Sequence, residues 1–537
     1  LDDSDKARIN IPIQLRPGLN NIKIPYSRIA SKIDASNIEF IVLFLNNPTR
    51  KYELYFDNLR LESSDLIEGI DLIPSSKNSE LIAIKLKNVK DNTPLISSGI
   101  PFPKGQLKDK NLISFYDNQN NPIPIGVKIL ARWPGDLSIR SILVQFPLYI
   151  KDKYEYIKMI LGEKRETKDL EIIEPVWDYP EGFIQLSAKW LCESGVIGEQ
   201  IPMGVNIFPK YDENIIKFFP YIQSLSSGYL QIDNYYSTSH VFYQFYVRSG
   251  ELKYFLSARK ELINYRDTQI IQDGKNRGCT IVSKKPRYIY LQAMADDYFL
   301  TGDPKSLLVA SYMAEFLEKT FKPKKAFYAK KRKNFWTERL YAFPFLGCIT
   351  YYEMTHEKKY LEIADEYMKN LYKTQLEWPK RGGFIHNLYA HDPEEGARPD
   401  EYGGSPFMTG LLLEAIIKYH RITKSKIAKD SIFLALDWLI NEALTEKKDS
   451  FIYLTADKYK NSNGEADLNL LIVHAFGYGY IISDKKRKDY LEIGKNLFIK
   501  GINKAYLGKR KHFNQNYRSS GHFLAYVISY LNNEHHL

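Results

Sequence analysis

From Asn234 onward the chain repeats one pattern, and that pattern constrains the fold more than anything else in the sequence. Short polar breaks recur at Arg248-Ser-Gly-Glu251, Leu300-Thr-Gly-Asp-Pro304, Met354-Thr-His-Glu357, Ile422-Thr-Lys-Ser425 and Ile482-Ser-Asp-Lys485, at intervals of roughly 50–70 residues. Before each break lies a segment that is apolar and aromatic on nearly every side: residues 240–247, 287–300, 339–353, 406–419 and 468–481, with a last one at 522–531. After each break lies an amphipathic segment: residues 252–265, 305–320, 358–373, 425–444 and 485–502. In residues 360–371 the apolar positions recur three and four apart, the mark of a helix with one buried face. A helix apolar all round must be buried all round. Inner helices alternating with half-buried outer ones fit a closed α/α toroid better than an open superhelix, whose concave face would leave the inner helices wet. In the second break Gly302 suits a left-handed helix end, and Asp303-Pro304 suits the start of the next helix.

With 537 residues the chain has room for several domains, and 44% hydrophobic content gives it ample core. The expected organisation is multidomain α+β, with N-terminal β domains followed by a C-terminal α/α toroid of about six helix pairs. Residues 1–62 and 71–175 are read as β-rich, 176–233 as a β-rich connector and 234–537 as the toroid, which carries the chemistry. The net charge of +11 favours an acidic partner. Cys192, Cys279 and Cys348 have no metal-site spacing and cannot build a disulfide framework. No run reaches the roughly 20 apolar residues of a membrane span. Because the chain starts at Leu1 rather than Met, an export signal is expected to have been removed, which points to an extracellular, periplasmic or cell-surface location.

The β-rich part shows two resemblances. Alternating strands at 9–15, 21–24, 38–45 and 52–61, the last closing on Asp57-Asn58-Leu59, resemble the end of a jelly-roll of the carbohydrate-binding-module type over residues 1–62. Further on, the rigid turn Gly99-Ile-Pro-Phe-Pro-Lys-Gly105 is followed by Ala131-Arg-Trp-Pro134 and Ser138-Ile-Arg140. Together these resemble the N-terminal barrel of the exo-acting rhamnogalacturonan lyase family, whose members join a small β-barrel and a β-sandwich to an α/α toroid. That family's usual form of the second motif is Trp-Pro-Asp-Gly-Ser-x-Arg-Trp. Here Gly135 and Asp136 are exchanged, Leu137 is inserted, and Ser141 stands where a Trp is expected. Residues 201–219, around Pro209-Lys-Tyr-Asp212, read as extended chain.

In a toroid the loops entering the inner helices line one end of the barrel, so the chemistry is sought there. Those loops carry Asn234, Tyr236 and His240; Arg287 and Tyr288; Trp336, Glu338 and Arg339; Trp378, His386, Asn387 and Tyr402; and finally Arg518. Aromatic faces stack on sugar rings, while planar polar groups read hydroxyls and carboxylates. β-Elimination on a uronic acid needs a base for the C5 proton, a cation to neutralise the carboxylate and an acid for the leaving oxygen. His240, Tyr236, Arg287, Tyr288, Arg339 and His386 suit those roles. Trp336, Trp378, His386, Asn387, Tyr402, Asn234 and Arg518 are the expected substrate contacts. Hydrolysis by two facing carboxylates is the competing chemistry and would use Glu338, Asp400 and Glu401. A non-catalytic glycan-binding protein is the third reading.

The partner expected is an acidic polysaccharide or oligosaccharide. The basic run Lys330-Lys-Arg-Lys333 has no recognition helix or stacking sheet beside it, so nucleic acid is not expected. No metal spacing stands out and no cofactor is expected, with structural Ca2+ in a β domain the exception to be watched for. His474 in its apolar segment reads as a core residue. At least one of Asp296 and Asp297 is expected to pair with a neighbouring cation.

Overall fold

A computed structural model describes residues 79–86, 94–117, 119–147, 154–173, 182–205, 208–225, 234–324, 337–377, 382–391, 398–456 and 462–534. The strands expected over residues 1–62 lie outside them.

The chain builds helices α1 (Ala188–Ser194) and α2 (Pro209–Ser224), then the first apolar helix, α3 (Thr238–Ser249), and its amphipathic partner, α4 (Leu252–Asn264). The same alternation follows with α5 (Leu291–Thr301) and α6 (Pro304–Thr320), α7 (Glu338–Thr355) and α8 (Lys358–Leu376), α9 (Pro406–Thr423) and α10 (Lys426–Trp438), and α11 (Val473–Ile482) and α12 (Lys488–Lys504). Helices α13 (Arg510–Tyr517) and α14 (Ser520–Glu534) complete the described chain. Each apolar helix packs on its amphipathic partner, and contacts run from α3 to α5, α7, α9, α11 and α14 in turn, while α13 packs against α3. In α7 every residue from 341 to 351 is buried. In α8 burial falls on Tyr360, Ala364, Tyr367, Met368 and Leu371, the stripe that the spacing predicts.

The polar breaks are one device used repeatedly. Gly250, Gly302, His356 and Lys424 adopt φ of 68°, 75°, 59° and 55°, the left-handed turn that ends a helix. The residue before each is Ser249, Thr301, Thr355 or Thr423, and its hydroxyl donates to the carbonyl four residues back (2.8, 2.6, 2.9 and 2.9 Å). The same hydroxyl accepts the amide two residues on (3.1, 3.1, 3.2 and 3.2 Å). One hydroxyl thus satisfies a last-turn carbonyl and the first amide beyond the reversal.

Two segments differ from expectation. Pro209–Ser224 is a helix rather than extended chain: Pro209 occupies its first position, and Tyr211, Ile215, Phe219 and Ile222 bury one face at helical spacing. Arg287 and Tyr288 do not begin an inner helix, because Pro286–Tyr288 forms a single 3-10 turn and α5 starts only at Leu291.

The strands are β1 (Ser79–Leu86), β2 (Leu95–Pro101), β3 (Ile113–Tyr116), β4 (Pro122–Ile123), β5 (Gly126–Arg132), β6 (Ile139–Pro147), β7 (Tyr154–Leu161) and β8 (Gly182–Gln185). They form one sheet in the order β4-β3-β7-β1-β8-β2-β6-β5, antiparallel except for a single parallel pairing of Ile96 with Gly182.

The two quoted motifs fasten this sheet to the C-terminal ends of α5 and α7. Gly99 leaves no room for a side chain, since a Cβ there would stand 2.5 Å from the Phe299 carbonyl oxygen. Ser141, in place of a Trp, donates to the same carbonyl at 2.6 Å. Arg140 lies between the rings of Trp133 and Phe299, 4.5 and 4.3 Å from their centroids, with Nη1 3.2 Å from Glu353. The inserted Leu137 takes φ of 57° and points to solvent, so the insertion is absorbed outside the contact. Lys418 Nζ closes on the other Glu353 oxygen at 2.6 Å. Burial opposes ionisation of Glu353, but Arg140 and Lys418 outweigh it and bring the carboxyl down to about 2.

Gly99→Ala is expected to lower stability by about 1–3 kcal/mol, seen as a reduced urea midpoint, because the methyl meets backbone rather than a mobile side chain. Glu353 makes a second expectation. A depressed pKa contributes stability that is fully present above the ordinary value of 4.5 and is lost as pH falls toward 2. Acid titration of unfolding should show that limb in the natural chain and a flatter one in Glu353→Gln.

Candidate functional site

The connections from inner to outer helices are short (250–251, 302–303, 356–357 and 424–425), whereas those entering inner helices are long (265–290, 321–337, 377–405, 439–472 and 505–519). The long connections meet at one end. Tyr235, just ahead of α3, accepts a hydrogen bond on its hydroxyl from Arg339 Nη1, in the first turn of α7, at 2.9 Å. The Arg287 guanidinium lies 6.0 Å from the Tyr235 ring and 5.0 Å from that of Tyr288, whose edge meets Tyr235 at 5.4 Å. Lys511 Nζ, from α13, lies 5.6 Å from the Tyr235 ring. Three cations from three chain segments therefore surround one phenol. Tyr235 is 6% exposed, while Arg287, Tyr288, Arg339 and Lys511 are half-buried and form its open side. Burial raises the Tyr235 phenol pKa, and the charges of Arg339 and Arg287 pull it back part of the way.

The backbone beneath Tyr235 is unusual. Tyr236 and Ser237 both take left-handed conformations, with φ of 70° and 68°, a cost of about 1–3 kcal/mol each for side-chain-bearing residues. Asn234 Oδ1 accepts the Thr238 amide at 3.0 Å, so Asn234 organises the start of α3. The Tyr236 ring is 2% exposed, and its pKa is raised by burial and by Tyr235. His240 is turned inward, 4% exposed, with Nδ1 2.5 Å from Asp296 Oδ2. Its neighbour Asp297 is held by Arg259 at 2.6 Å.

Next to Arg339, Glu338 is wholly buried, its Oε1 accepting the Ser405 amide at 2.9 Å and its Oε2 lying 2.9 Å from His386 Nδ1. His386 reaches it from a two-residue ladder, β9 (His386–Asn387) on β10 (Tyr402–Gly403). Asn387 is also buried and donates to the Pro399 carbonyl at 2.9 Å, while Tyr402 is half-buried. This loop rests on Trp438: a Cβ at Gly383 or Gly404 would come within 2.6 Å of the indole, so only glycine admits the ring.

Arg518 is 1% exposed and bonds Glu414 through Nε (2.9 Å) and Nη2 (3.1 Å), Gln292 through Nη2, and the Tyr236 carbonyl through Nη1 (3.1 Å). Burial opposes the Glu414 charge, yet Arg518 and Gln292 bring its carboxyl down to about 2. Trp336 and Trp378 lie outside the described residues.

The structure thus brings Arg287, Tyr288 and Arg339 together around Tyr235. Glu338, His386 and Asn387 form a buried support beside them, and His240, Tyr236 and Arg518 belong to the interior. Sequence reasoning passed over Tyr235 and Lys511. A Tyr-Tyr pair carries no sign of which ring faces the mouth, and Lys511, in the same connection as Arg518, carries no mark of its own. Among the described residues no group of three or more His, Cys, Asp or Glu could hold a metal ion, and no helix is long and apolar enough to cross a membrane.

No protein-family model matches the chain, and no curated protein matches it. Among solved structures it is similar to an unsaturated glucuronyl hydrolase specific for heparin, at 11% identity over 60% of this chain and 97% of that one, with a TM-score of 0.46. It is similar to a glycosyl hydrolase family 88 protein from Bacteroides vulgatus, at 12% identity over 58% and 98% of the two chains, with a TM-score of 0.46. It is similar as well to a polysaccharide lyase, at 11% identity over 60% and 97%, with a TM-score of 0.41. The resemblance to exo-acting rhamnogalacturonan lyases rests on the residues quoted for it.

The Glu338–His386 pair should be structural. Glu338→Ala leaves the buried Ser405 amide without its acceptor and removes the carboxylate beside His386, an expected loss of about 1–3 kcal/mol by urea unfolding. A variant as stable as the natural chain would contradict that role.

Proposed function

We propose that this chain is a polysaccharide lyase that cleaves a uronate-containing, acidic polysaccharide by β-elimination. In this reading residues 234–537 form a closed toroid of about six helix pairs, and residues 1–62 are a glycan-binding accessory outside the cell. The observation that carries the reading is the Tyr235 hydroxyl bonded to Arg339, with Arg287 and Lys511 set around the same ring.

The C5 proton of a uronate is too weakly acidic to leave while the adjacent carboxylate keeps its charge unpaired. Arg287 and Arg339 stay cationic at any working pH and offer planar forks to that carboxylate. Tyr235 in its phenolate form takes the C5 proton. The electron pair forms the C4–C5 double bond, the C4–O4 bond breaks, and the same phenol returns a proton to the leaving oxygen. The three cations stabilise the phenolate and the charge developing on the substrate carboxylate. The chemistry as written calls on no cofactor. The proton-transfer role moves from His240 and Tyr236 to Tyr235, because Tyr235 is the ring among the cations. Hydrolysis is less well supported: Glu338, on which it relies, is wholly buried and engaged by Ser405 and His386.

The test is a panel of acidic polysaccharides assayed for the ultraviolet absorbance of an unsaturated uronate end. The natural chain should form that product from at least one of them. Since the Tyr235 pKa is raised, the reactive phenolate is scarce at neutral pH, and the rate should climb as pH rises into the alkaline range. Tyr235→Phe should lose on the order of a hundredfold to ten-thousandfold in kcat. Arg339→Lys should lose on the order of a hundredfold, because a point charge cannot copy the fork. New reducing ends without unsaturated product would establish hydrolysis instead, and binding with neither would establish a non-catalytic glycan-binding protein.

A further inference from the structure

We infer that Arg518 and Asn514 are positioning residues that clamp the left-handed turn at Tyr236–Ser237 and so hold Tyr235 among its cations; the inference rests on the reading of Tyr235 as the proton-transfer group. Arg518 has the residue type of a substrate contact, but its guanidinium is already committed to Glu414, Gln292 and the Tyr236 carbonyl, and it is 1% exposed. It grips backbone, not sugar.

Asn514 does the same one residue earlier. Fully buried, it donates through Nδ2 to the Tyr235 carbonyl at 3.0 Å and to Thr238 Oγ1 at 2.9 Å. The Tyr236 amide donates to the Tyr290 hydroxyl at 3.1 Å, and the Tyr290 amide in turn donates to the Tyr265 hydroxyl at 2.9 Å. The Ser237 amide donates to the Asn234 carbonyl at 3.0 Å. Two successive left-handed residues that are not glycine persist only where their surroundings over-determine them. Here each carbonyl and amide of Tyr236 and each neighbouring group just named has an assigned partner. The clamp also reaches across the barrel: Glu414 comes from α9, Gln292 from α5, and Asn514 from α13. Tyr235 is thereby referred to several inner helices at once, and a proton-transfer group gains from such fixing because small misplacements cost large factors in rate.

The experiment uses the full chain, with Ser237→Gly, Asn514→Ala and Arg518→Lys, and reads three quantities. These are thermal midpoint, hydrogen exchange of the 234–238 amides by mass spectrometry, and steady-state kinetics on whichever uronide the natural chain cleaves. Ser237→Gly is the decisive variant. Glycine suits the left-handed region, so the midpoint should hold or rise, while the turn gains conformations it did not have. Exchange at 234–238 should quicken by about tenfold or more, and kcat should fall by about tenfold to a hundredfold with KM little changed. Asn514→Ala should act in the same direction. Arg518→Lys, which keeps one charge beside Glu414, should keep part of the rate if it folds.

A merely structural role forecasts that Ser237→Gly, being no less stable, is no less active. Natural exchange and natural kcat in both Ser237→Gly and Asn514→Ala would overturn the inference. If exchange quickens in both but no protein, natural or variant, yields an unsaturated product, the clamp stands and the elimination reading falls.

Discussion

The hydroxyl-capped left-handed turn that ends the inner helices is the interaction on which the architecture depends. Ser249, Thr301, Thr355 and Thr423 each close the last turn of an apolar helix and seed the reversal into its partner with one side chain. A buried helix end otherwise leaves carbonyls without partners, at a cost comparable to a lost hydrogen bond for each group. Meeting that need within two or three residues keeps one end of the helical region tight. The longer connections are then left to the other end, where they run from 265–290 to 505–519. The cationic cluster at Tyr235 lies where it does because the opposite end is already spent on chain reversal.

Much of this was legible in the residues. An all-round apolar helix has one solution in water, so the inner helices and their order could be read, as could the breaks between them. Boundaries were harder. Pro286 forces a 3-10 turn where periodicity alone would begin a helix at Arg287, and Pro209 opens a helix where the residues read as extended chain. At the site, residue types were informative and orientations were not. Arg287, Tyr288 and Arg339 meet around Tyr235, although only Arg339 stands at a helix start and Arg287 and Tyr288 come from a 3-10 turn. His240 and Arg518 are equally suited by type, but they face inward because Asp296 and Glu414 wait for them on neighbouring helices. No local signal in a sequence reports a partner 56 or 104 residues away. The choice between Tyr235 and Tyr236 turns on two backbone dihedrals, and those are set by Asn514, Tyr290 and Arg518 rather than by the tyrosines themselves.

Charge is distributed with the same asymmetry. The net +11 is spread along the chain, and among the described residues several arginines are bound internally. Arg140, Arg248, Arg259, Arg266, Arg510 and Arg518 all serve buried carboxylates. Those pairs specify which helix meets which, since a mismatched neighbour would bury a charge alone. At the mouth Arg287, Arg339 and Lys511 have only phenols and ring faces beside them in the contacts described, which concentrates positive potential at one opening.

The attachment of the sheet has a consequence for how the parts of such a chain depend on one another. Gly99, Arg140 and Ser141 meet the backbone and side chains of α5 and α7 directly, and Phe299 gives its carbonyl to the sheet rather than to a helix partner. A sheet fastened in this way is not a detachable accessory. Its loss would leave the Phe299 carbonyl and ring without their sheet partners and Glu353 with Lys418 alone, several interactions at once. The sheet and the helices it meets therefore act as one unit in the stability of this chain. The long connections lie at the other end, so differences in length among them leave the sheet attachment untouched.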